Sequence, residues 1–574
     1  MQKRWLVKSA IDSTVVEEFR STLKVDRIVA ELLLQRGIST FEDAQAFFRP
    51  DIKDLHDPFL MKDMNKAVTR LAEAIENNQK ILLYGDYDVD GTTAVATMYS
   101  FLEGRAEVDY YIPDRYKEGY GLSRLGIEFA KENNFDLVVC LDCGIKSIKE
   151  IEYANELGVD FIICDHHNPG STLPNCIVLD PKRSDCEYPF KELSGCGVGF
   201  KLLQAYCQKS KIEFDELLPL LDFLALSIGA DIVEVTGENR ILCYHGLKRL
   251  NESPRAAFRE LLVLAKREFP VTLTDVVFTI APRINAAGRL RSGKYAVELM
   301  ITNNLAEIRS LANEINEDNQ NRRELDQQIT EEAKQQIDED EGFDDRVTTV
   351  VFDKNWHKGV VGIVASRLIE KHYRPTIVLT ESNGLITGSA RSVSGFDIHE
   401  ALTKCEDILE QFGGHKYAAG MTLLPENLTD FKEKFEQVVS DLISPSDLIE
   451  EQKIDIEIEF DEIFKPVENR MKVPRLKRIL GQFEPHGPGN MKPVFMSANL
   501  YSTDARLLKD AHLKLSMTQP PYDLVIDGIG FNMPEKMDDV ASGVPFDLAY
   551  TMEINRWRDR ETLQLNIKDI RPTI

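Results

Sequence analysis

Apolar residues recur along this chain in two alternating rhythms. Short apolar runs bounded by polar turns read as buried strands, notably at 81–84, 137–141 and 161–164. Between them lie stretches with apolar residues at helical spacing. That alternation over 76–240 predicts a parallel sheet covered by helices. Residues 1–75 read as helical, as at 28–34 and 41–48. Residues 241–345 read mostly as helices, ending in a long polar helix over 305–337. Its thin apolar stripe suits a bridge between two domains. A second alternating region, 346–449, has strands at 348–352 and 376–379 and helices at 360–371 and 398–412. The last helix is expected to stop at Gly413-Gly414 as a C-cap. From 450 to 574 the runs become short and alternating, as at 454–458 and 563–567, which predicts an all-β module. The expected fold is multidomain α/β, with two α/β domains joined by a long helix and a C-terminal β-barrel.

Three of the strand-like runs end in acid or imidazole. The first leads into Gly85-Asp86-Tyr87-Asp88-Val89-Asp90-Gly91, the second into Asp142-Cys143-Gly144, the third into Asp165-His166-His167. Asp231 follows an apolar helix over 220–228. Ligands of open parallel sheets bind just outside the carboxyl ends of the strands. One Asp at a strand end is ordinarily a helix N-cap. Three clusters at equivalent ends point instead to a metal centre. Carboxylate oxygen with imidazole nitrogen suits Mn²⁺ or Mg²⁺, with Zn²⁺ admissible. So many acids at one edge call for two cations about 3.5–4 Å apart, the arrangement of phosphoester chemistry.

Composition narrows the setting. The 574 residues allow three or four domains, and 43% apolar content is ordinary for a globular chain. There is no apolar run of membrane-spanning length. The first eight residues lack the apolar core of a signal peptide, so a cytoplasmic location is expected. Nine cysteines in no even framework read as reduced, buried thiols. Cys140 and Cys143 are formally C-x-x-C, but Asp142 between them fits the metal site better than a redox motif does. A net charge of −26 argues against indiscriminate nucleic-acid binding while leaving room for a local basic channel.

Cationic and hydroxyl side chains group in three places: Arg115; Arg283 and Arg289 flanking Gly288; and Ser389, Arg391 and His415 in the second alternating region. Arg suits bidentate phosphate binding. In the β-rich module, Phe483, Phe495, Tyr501, Phe531 and Trp557 are candidates for stacking on bases. Arg475, Lys477, Arg478, Lys492, Arg506 and Lys509 could line a groove.

Asp86-Tyr87-Asp88-Val89-Asp90-Gly91, Asp142-Cys143-Gly144, Asp165-His166-His167 and Asp231 follow, in order, the four motifs of the DHH phosphoesterases, which the chain resembles. Gly388-Ser389-Ala390-Arg391-Ser392 and Gly413-Gly414-His415 resemble the DHH-associated domain. The segments 282–289, 356–363 and Glu484-Pro485-His486-Gly487-Pro488-Gly489-Asn490 resemble the RecJ-type branch of that family. The resemblance spans nearly the whole chain. It implies a single-strand-specific 5′-to-3′ DNA exonuclease that releases 5′-mononucleotides in recombination and repair. It further implies a C-terminal OB-fold, a monomer, and a helicase and a single-strand-binding protein as partners. Asp88, Asp90, Asp142, His166 and Asp231 are implied as metal ligands, with Asp142 bridging two divalent cations, Mn²⁺ or Mg²⁺. Asp86 touches a metal or one of its ligands, Asp165 orients an imidazole, and His167 polarises a phosphate oxygen. Arg115, Arg283, Asn285, Arg289, Ser389, Arg391, Gly414 and His415 are implied to hold the strand and its 5′ phosphate.

Two departures bear on details. Tyr84 stands where related phosphoesterases often carry a metal-binding His, and His486 where a larger apolar residue is more usual. A phosphodiesterase for short oligonucleotides or cyclic dinucleotides is the nearest alternative, disfavoured by the extra β module. An inactive single-strand-binding relative is the other, disfavoured by the complete ligand set.

Overall fold

The computed structural model describes residues 3–464, 473–522, 524–541, 543–558 and 560–573. The chain divides into two units. One holds Ile11–Asn319 and Arg478–Lys492; the other holds Met1–Ala10, Gln320–Lys477 and Pro493–Ile574. The first strand, β1 (Arg4–Val7), belongs to the second of these. This corrects the expectation of a wholly helical N-terminus. Trp5 and Leu6 sit in a four-residue alternation too short to outweigh the helices that follow.

The first unit carries a parallel sheet of β2 (Lys80–Gly85), β3 (Glu107–Tyr111), β4 (Leu137–Leu141), β5 (Asp160–Cys164) and β6 (Ile177–Leu179). Its order is β3-β2-β4-β5-β6, with every pairing parallel. The two-residue period sends Ile81, Leu83, Val139, Leu141, Ile162 and Cys164 into one core. Leu82, Tyr84, Val138, Cys140, Phe161 and Ile163 enter the other. A sheet buried on both faces explains why these strands read as continuous apolar runs. The chain passes from β2 outward to β3, then back across β2 to β4. The topological switch point, and with it the crevice for a ligand, falls between the carboxyl ends of β2 and β4. Residues 241–319 belong to this unit, so the expected connector at 241–345 is not a separate body. The long helix spans Leu305–Asp338.

The second unit contains a five-stranded sheet in the order β10-β11-β9-β8-β7. Its strands are β7 (Thr349–Phe352), β8 (Thr376–Ser382), β9 (Leu385–Arg391), β10 (Gln411–His415) and β11 (Ala418–Leu423). Here the expected helix over 398–412 is corrected. The helix is Ile398–Thr403, and Gly413-Gly414 lies inside a strand rather than at a C-cap. Ala401 and Leu402 are buried at helical spacing, and Phe412 continued that pattern by chance. The same unit pairs β1 with β12 (Glu451–Ile454). It also contains a barrel. After β13 (Ile456–Glu457) come β14 (Phe495–Leu508), β15 (His512–Thr518), β16 (Val525–Gly530), β17 (Phe546–Trp557) and β18 (Arg560–Pro572). A β14–β17 pairing closes it into a five-stranded barrel.

The stretch from 450 to 574 is not one module, because Arg478–Lys492 belongs to the first unit. Phe483 is accordingly no barrel aromatic. It is fully buried, 5.3 Å from the ring of Phe47 and 5.4 Å from that of Phe48. Arg478 and Lys492 leave the barrel with it. Phe495 is barrel core, Tyr501 and Phe531 are exposed, and Arg506 pairs with Asp504 at 3.0 Å. The Trp557 side chain lies outside the described residues.

Candidate metal centre

Each acid reaches the crevice for a local reason. Asp88 caps the helix Val89–Leu102, accepting from Gly91 N–H at 3.1 Å. Asp90, in the first turn of that helix, is buried. Its carboxylate accepts from Gly195 N–H (2.7 Å), Cys196 N–H (2.9 Å) and Ser227 Oγ (2.6 Å). The first two donors open the helix Gly195–Ser210, whose free N–H groups and dipole favour an anion. Asp142 leaves β4 with φ +61° while its N–H still bonds Cys164 O of β5 at 2.9 Å. A Cβ on residue 195 would collide with the Asp142 carboxylate, so that helix must begin with glycine. Asp231 ends the helix Leu221–Ala230, one turn after Ser227.

These groups converge on His166. Its Nε2 lies 3.2 Å from Asp142 Oδ1, 3.5 Å from Asp231 Oδ2 and 3.9 Å from Asp90 Oδ2. Candidate ligand atoms fall into two overlapping sets: Asp142, His166 and His167; and Asp90, His166 and Asp231. Both ring nitrogens of His166, Asp142 Oδ1 and Asp86 Oδ2 are buried with no hydrogen-bond partner among the described residues. Buried polar atoms are ordinarily paired, so orphans this close together fit divalent cations.

The electrostatics agree. Burial, then Asp90 and Asp88, hold the Asp142 carboxyl far above the usual carboxylate range. Burial and Asp88 do the same to Asp86. Asp88 is raised by burial and Asp90. Asp231 is pushed up to about 8 by burial and Asp90. Burial pushes the His166 imidazole down, toward the neutral form that binds metal. Beside it sits an ion pair of opposite character. Asp165 accepts from His166 N–H (2.7 Å), His167 N–H (3.1 Å) and Ile145 N–H (2.9 Å), and contacts His167 Nδ1 at 2.7 Å. Burial would raise Asp165, but the hydrogen bond and charge of His167 hold it at about 2. Burial would lower His167, but Asp165 lifts it to about 9. Asp165 thus favours the cationic form of His167, whose Nε2 is 3.1 Å from the Tyr120 hydroxyl.

Tyr84 does not reach the centre. Its hydroxyl donates to Gly121 O (2.9 Å) and accepts from Ser123 N–H (3.1 Å). Gly121 N–H in turn approaches Asp86 Oδ1 at 3.4 Å. The tyrosine therefore props the loop behind Asp86. The Cys140 and Cys143 sulfurs are 3.3 Å apart and buried as free thiols, and the Cys140 contact together with burial pushes the Cys143 thiol up.

The other candidate side chains divide. Arg115 stacks its guanidinium over Tyr87, 4.8 Å from the ring centre. Arg283 is buried, donating to Asn316 Oδ1 (3.0 Å) and Thr279 O (2.7 Å). Asn285 and Arg289, half-buried, lie on the same helix, Ala281–Leu290. In the second unit, register brings one set together. Ser389 pairs across β11 with Gly420, and Gly420 with Gly413. Arg391 pairs with Ala418, and Ala418 with His415. Ser389, Arg391 and His415 therefore share one sheet face. Arg391 donates to Ser389 Oγ and to Ala390 O, both at 2.8 Å. Burial lowers the Arg391 pKa, and no carboxylate among the described residues pairs with it. Gly414 lies in the hairpin strand beside them.

Sequence reasoning missed three contributors. Gly195 is signalled by the Ser194-Gly195-Cys196-Gly197 helix start, and Ser227 by no local pattern. At Gly362, in the first turn of the helix Val361–His372, a Cβ would stand 2.9 Å from Arg391 Nη2 and 3.0 Å from Ser389 Oγ. A desolvated guanidinium, a hydroxyl and the first turn of a helix are together suited to an anion.

Residues 80–228 match the DHH family, N-terminal domain, 344–441 the DHHA1 domain, and 454–569 the RecJ OB domain. The single-stranded-DNA-specific exonuclease RecJ of Bacillus subtilis (strain 168) is 37% identical over 571 residues, covering 99% of this chain and 70% of the relative. The protein of that name from Escherichia coli (strain K12) is 31% identical, covering 95% and 96% respectively. Among solved structures, RecJ of Thermus thermophilus in complex with Mn²⁺ gives a TM-score of 0.84 at 27% identity. That likeness covers 100% of this chain and 80% of the other.

Proposed function

The chain belongs to the RecJ family of single-stranded-DNA-specific exonucleases, and we propose that it degrades single-stranded DNA from the 5′ end by metal-dependent hydrolysis. The observation that carries this reading is the set of orphaned, buried ligand atoms around His166. Asp88, Asp90, Asp142, His166 and Asp231 would hold two divalent cations, Mn²⁺ or Mg²⁺, with Asp86 beside them. Bound there, such ions lower the pKa of a water and stabilise charge on the reacting phosphate.

The chain's own groups do the rest. His167, kept cationic by Asp165, donates a hydrogen bond to a phosphate oxygen and offsets its charge. Arg391, Ser389 and the N–H groups around Gly362 bind the 5′-terminal phosphate, with Gly414 shaping the hairpin that brings up His415. Arg115, Asn285 and Arg289 contact the strand's backbone. Arg283 serves them by fixing the helix that carries the latter two. The barrel binds the strand further along. The enzyme acts as a monomer in recombination and repair in the cytoplasm, on strands supplied by a helicase or covered by a single-strand-binding protein. The test compares products from 5′- and 3′-labelled single strands with Mn²⁺ and with EDTA. Mononucleotides released first from the 5′ label, and none with EDTA, are expected. Release from the 3′ label first would overturn the polarity.

A further inference from the structure

Asp231 is held differently from the other ligands. Asp86, Asp88, Asp90, Asp142 and His166 follow strand ends, whereas Asp231 opens a loop, 231–236, between two helices. Besides the core around Val235, a distant piece of the chain holds that loop. Val235 N–H donates to Pro488 O at 2.7 Å. A Cβ on Gly487 would collide with Val235 Cγ2, and one on Gly489 would stand 2.6 Å from Thr236 Cγ2. Pro488-Gly489 form a tight turn closed by Asn490 N–H to Gly487 O (2.9 Å), with Gly489 at φ +74°. Pro then Gly suits the central positions of a type II turn.

The turn is itself clamped. Arg240, buried, donates to the carbonyls of Phe483 (3.0 Å), Glu484 (3.1 Å), Pro485 (3.3 Å) and Phe47 (3.0 Å). Asn490 Nδ2 donates to Phe483 O (2.7 Å) and Pro485 O (2.8 Å), and Arg36 Nε donates to Asn490 Oδ1 (2.8 Å). On the loop's own side, Asn239 Nδ2 holds Glu234 O at 2.9 Å. Val235 and Thr236 also border a cavity of about 550 Å³. Val235 is itself buried in the core of the first unit, and the turn braces it there.

We propose that the Glu484–Asn490 turn, clamped by Arg240, is a positioning element for the metal ligand Asp231. Residues from beyond the second alternating domain thereby complete the metal centre of the first unit. The sequence 484–490 stands between strands of the barrel's chain segment, yet it acts on the metal centre.

This rests on Asp231 being a metal ligand, which Asp231→Ala tests separately by loss of Mn²⁺ binding. The proposal's own test is Gly487→Ala, with Asn490→Ala as a second variant. Mn²⁺ binding to each full-length chain, without DNA, is followed by the electron paramagnetic resonance signal of the free ion. We expect the dissociation constant of one Mn²⁺ to rise tenfold or more in folded protein. Nuclease kcat should return toward wild type at raised Mn²⁺, with KM for DNA unchanged. A purely structural role would lower melting temperature without moving the Mn²⁺ titration. Wild-type Mn²⁺ affinity in folded Gly487→Ala overturns the proposal. If that variant does not fold, wild-type affinity in Asn490→Ala does so.

Discussion

His166 Nε2 stands 3.2 Å from Asp142 Oδ1, and neither atom has a hydrogen-bond partner among the described residues. Two buried polar atoms so placed are costly unless a third party joins them. Asp142→Asn keeps the shape beside Gly195 and removes the charge. Mn²⁺ binding and nuclease activity should each fall by at least about 10²-fold, because changes even to the groups supporting metal ligands cost 10- to 100-fold. The metal-free variant should melt above the metal-free wild type, since asparagine can be buried there without taking up a proton on folding. Wild-type cleavage by the folded variant in Mn²⁺ would rule out Asp142 as a ligand.

Metal binding should release protons. Asp231 is raised from 3.8 to about 8, and Asp142 and Asp86 are raised strongly. The metal-free centre therefore carries protons at neutral pH that cations must displace. A raised carboxyl favours folding below its unfolded pKa, and that advantage is lost as pH climbs through the folded value. For Asp231 the window is from about 4 to 8. Mn²⁺ affinity should rise across the upper part of it, by about tenfold per pH unit for each proton released. The thermal stabilisation given by Mn²⁺ should grow with it. Calorimetric titration in two buffers of different ionisation enthalpy measures the protons directly, and identical heats in both would contradict the assignment.

The sequence made the strand-end acids legible because β2, β4 and β5 are buried on both faces. Their apolar runs end abruptly where the polar crevice begins. The β9–β10–β11 hairpins were harder to read. Strand β10 is Gln411–His415, glycine-rich and largely exposed, with neither rhythm to betray it, so Phe412 was absorbed into the preceding helix. The assignment of 478–492 to the first unit was not readable at all. Arg240 is more than two hundred residues away in sequence from the carbonyls it binds in that segment, and no local pattern encodes such a pairing. Ser227, which bonds Asp90, was hidden for the same reason.

Arg391 should govern end recognition. Its guanidinium is desolvated, bonded to Ser389, and without a carboxylate partner among the described residues. Charge-assisted hydrogen bonds contribute about 1.5–3 kcal/mol, so Arg391→Ala should reduce the preference for 5′-phosphorylated over 5′-hydroxyl strands by roughly tenfold or more. Gly362→Ala should act in the same direction, because its Cβ would crowd both groups. The preference is read from kcat/KM on matched strands. An undiminished preference in Arg391→Ala would move the 5′ phosphate elsewhere.

The barrel should add affinity for long strands without touching the chemistry. Tyr501 and Phe531 are exposed on it, 38% and 52% respectively, whereas Phe495 and Tyr550 are core. Exposed aromatics on such barrels stack with bases, each contributing about 1–3 kcal/mol by alanine substitution. The double variant Tyr501→Ala, Phe531→Ala should therefore weaken binding of long single strands by at least about thirtyfold. Cleavage of very short oligonucleotides should stay at wild-type rate, since the proposed metal ligands all lie in the first unit. The salt dependence should change little, because stacking releases no counterions. Loss of a phosphate contact, by contrast, lowers the slope by about 0.7 on single strands. Lys509, exposed after β14, is the matching control for that charge term. A deletion meant to remove the barrel should begin at Pro493, since one starting at 450 would also remove the turn that braces Asp231. Full affinity for long strands in the double variant would show that these rings do not stack on the strand, and a protein-docking role for that face would then explain their exposure better.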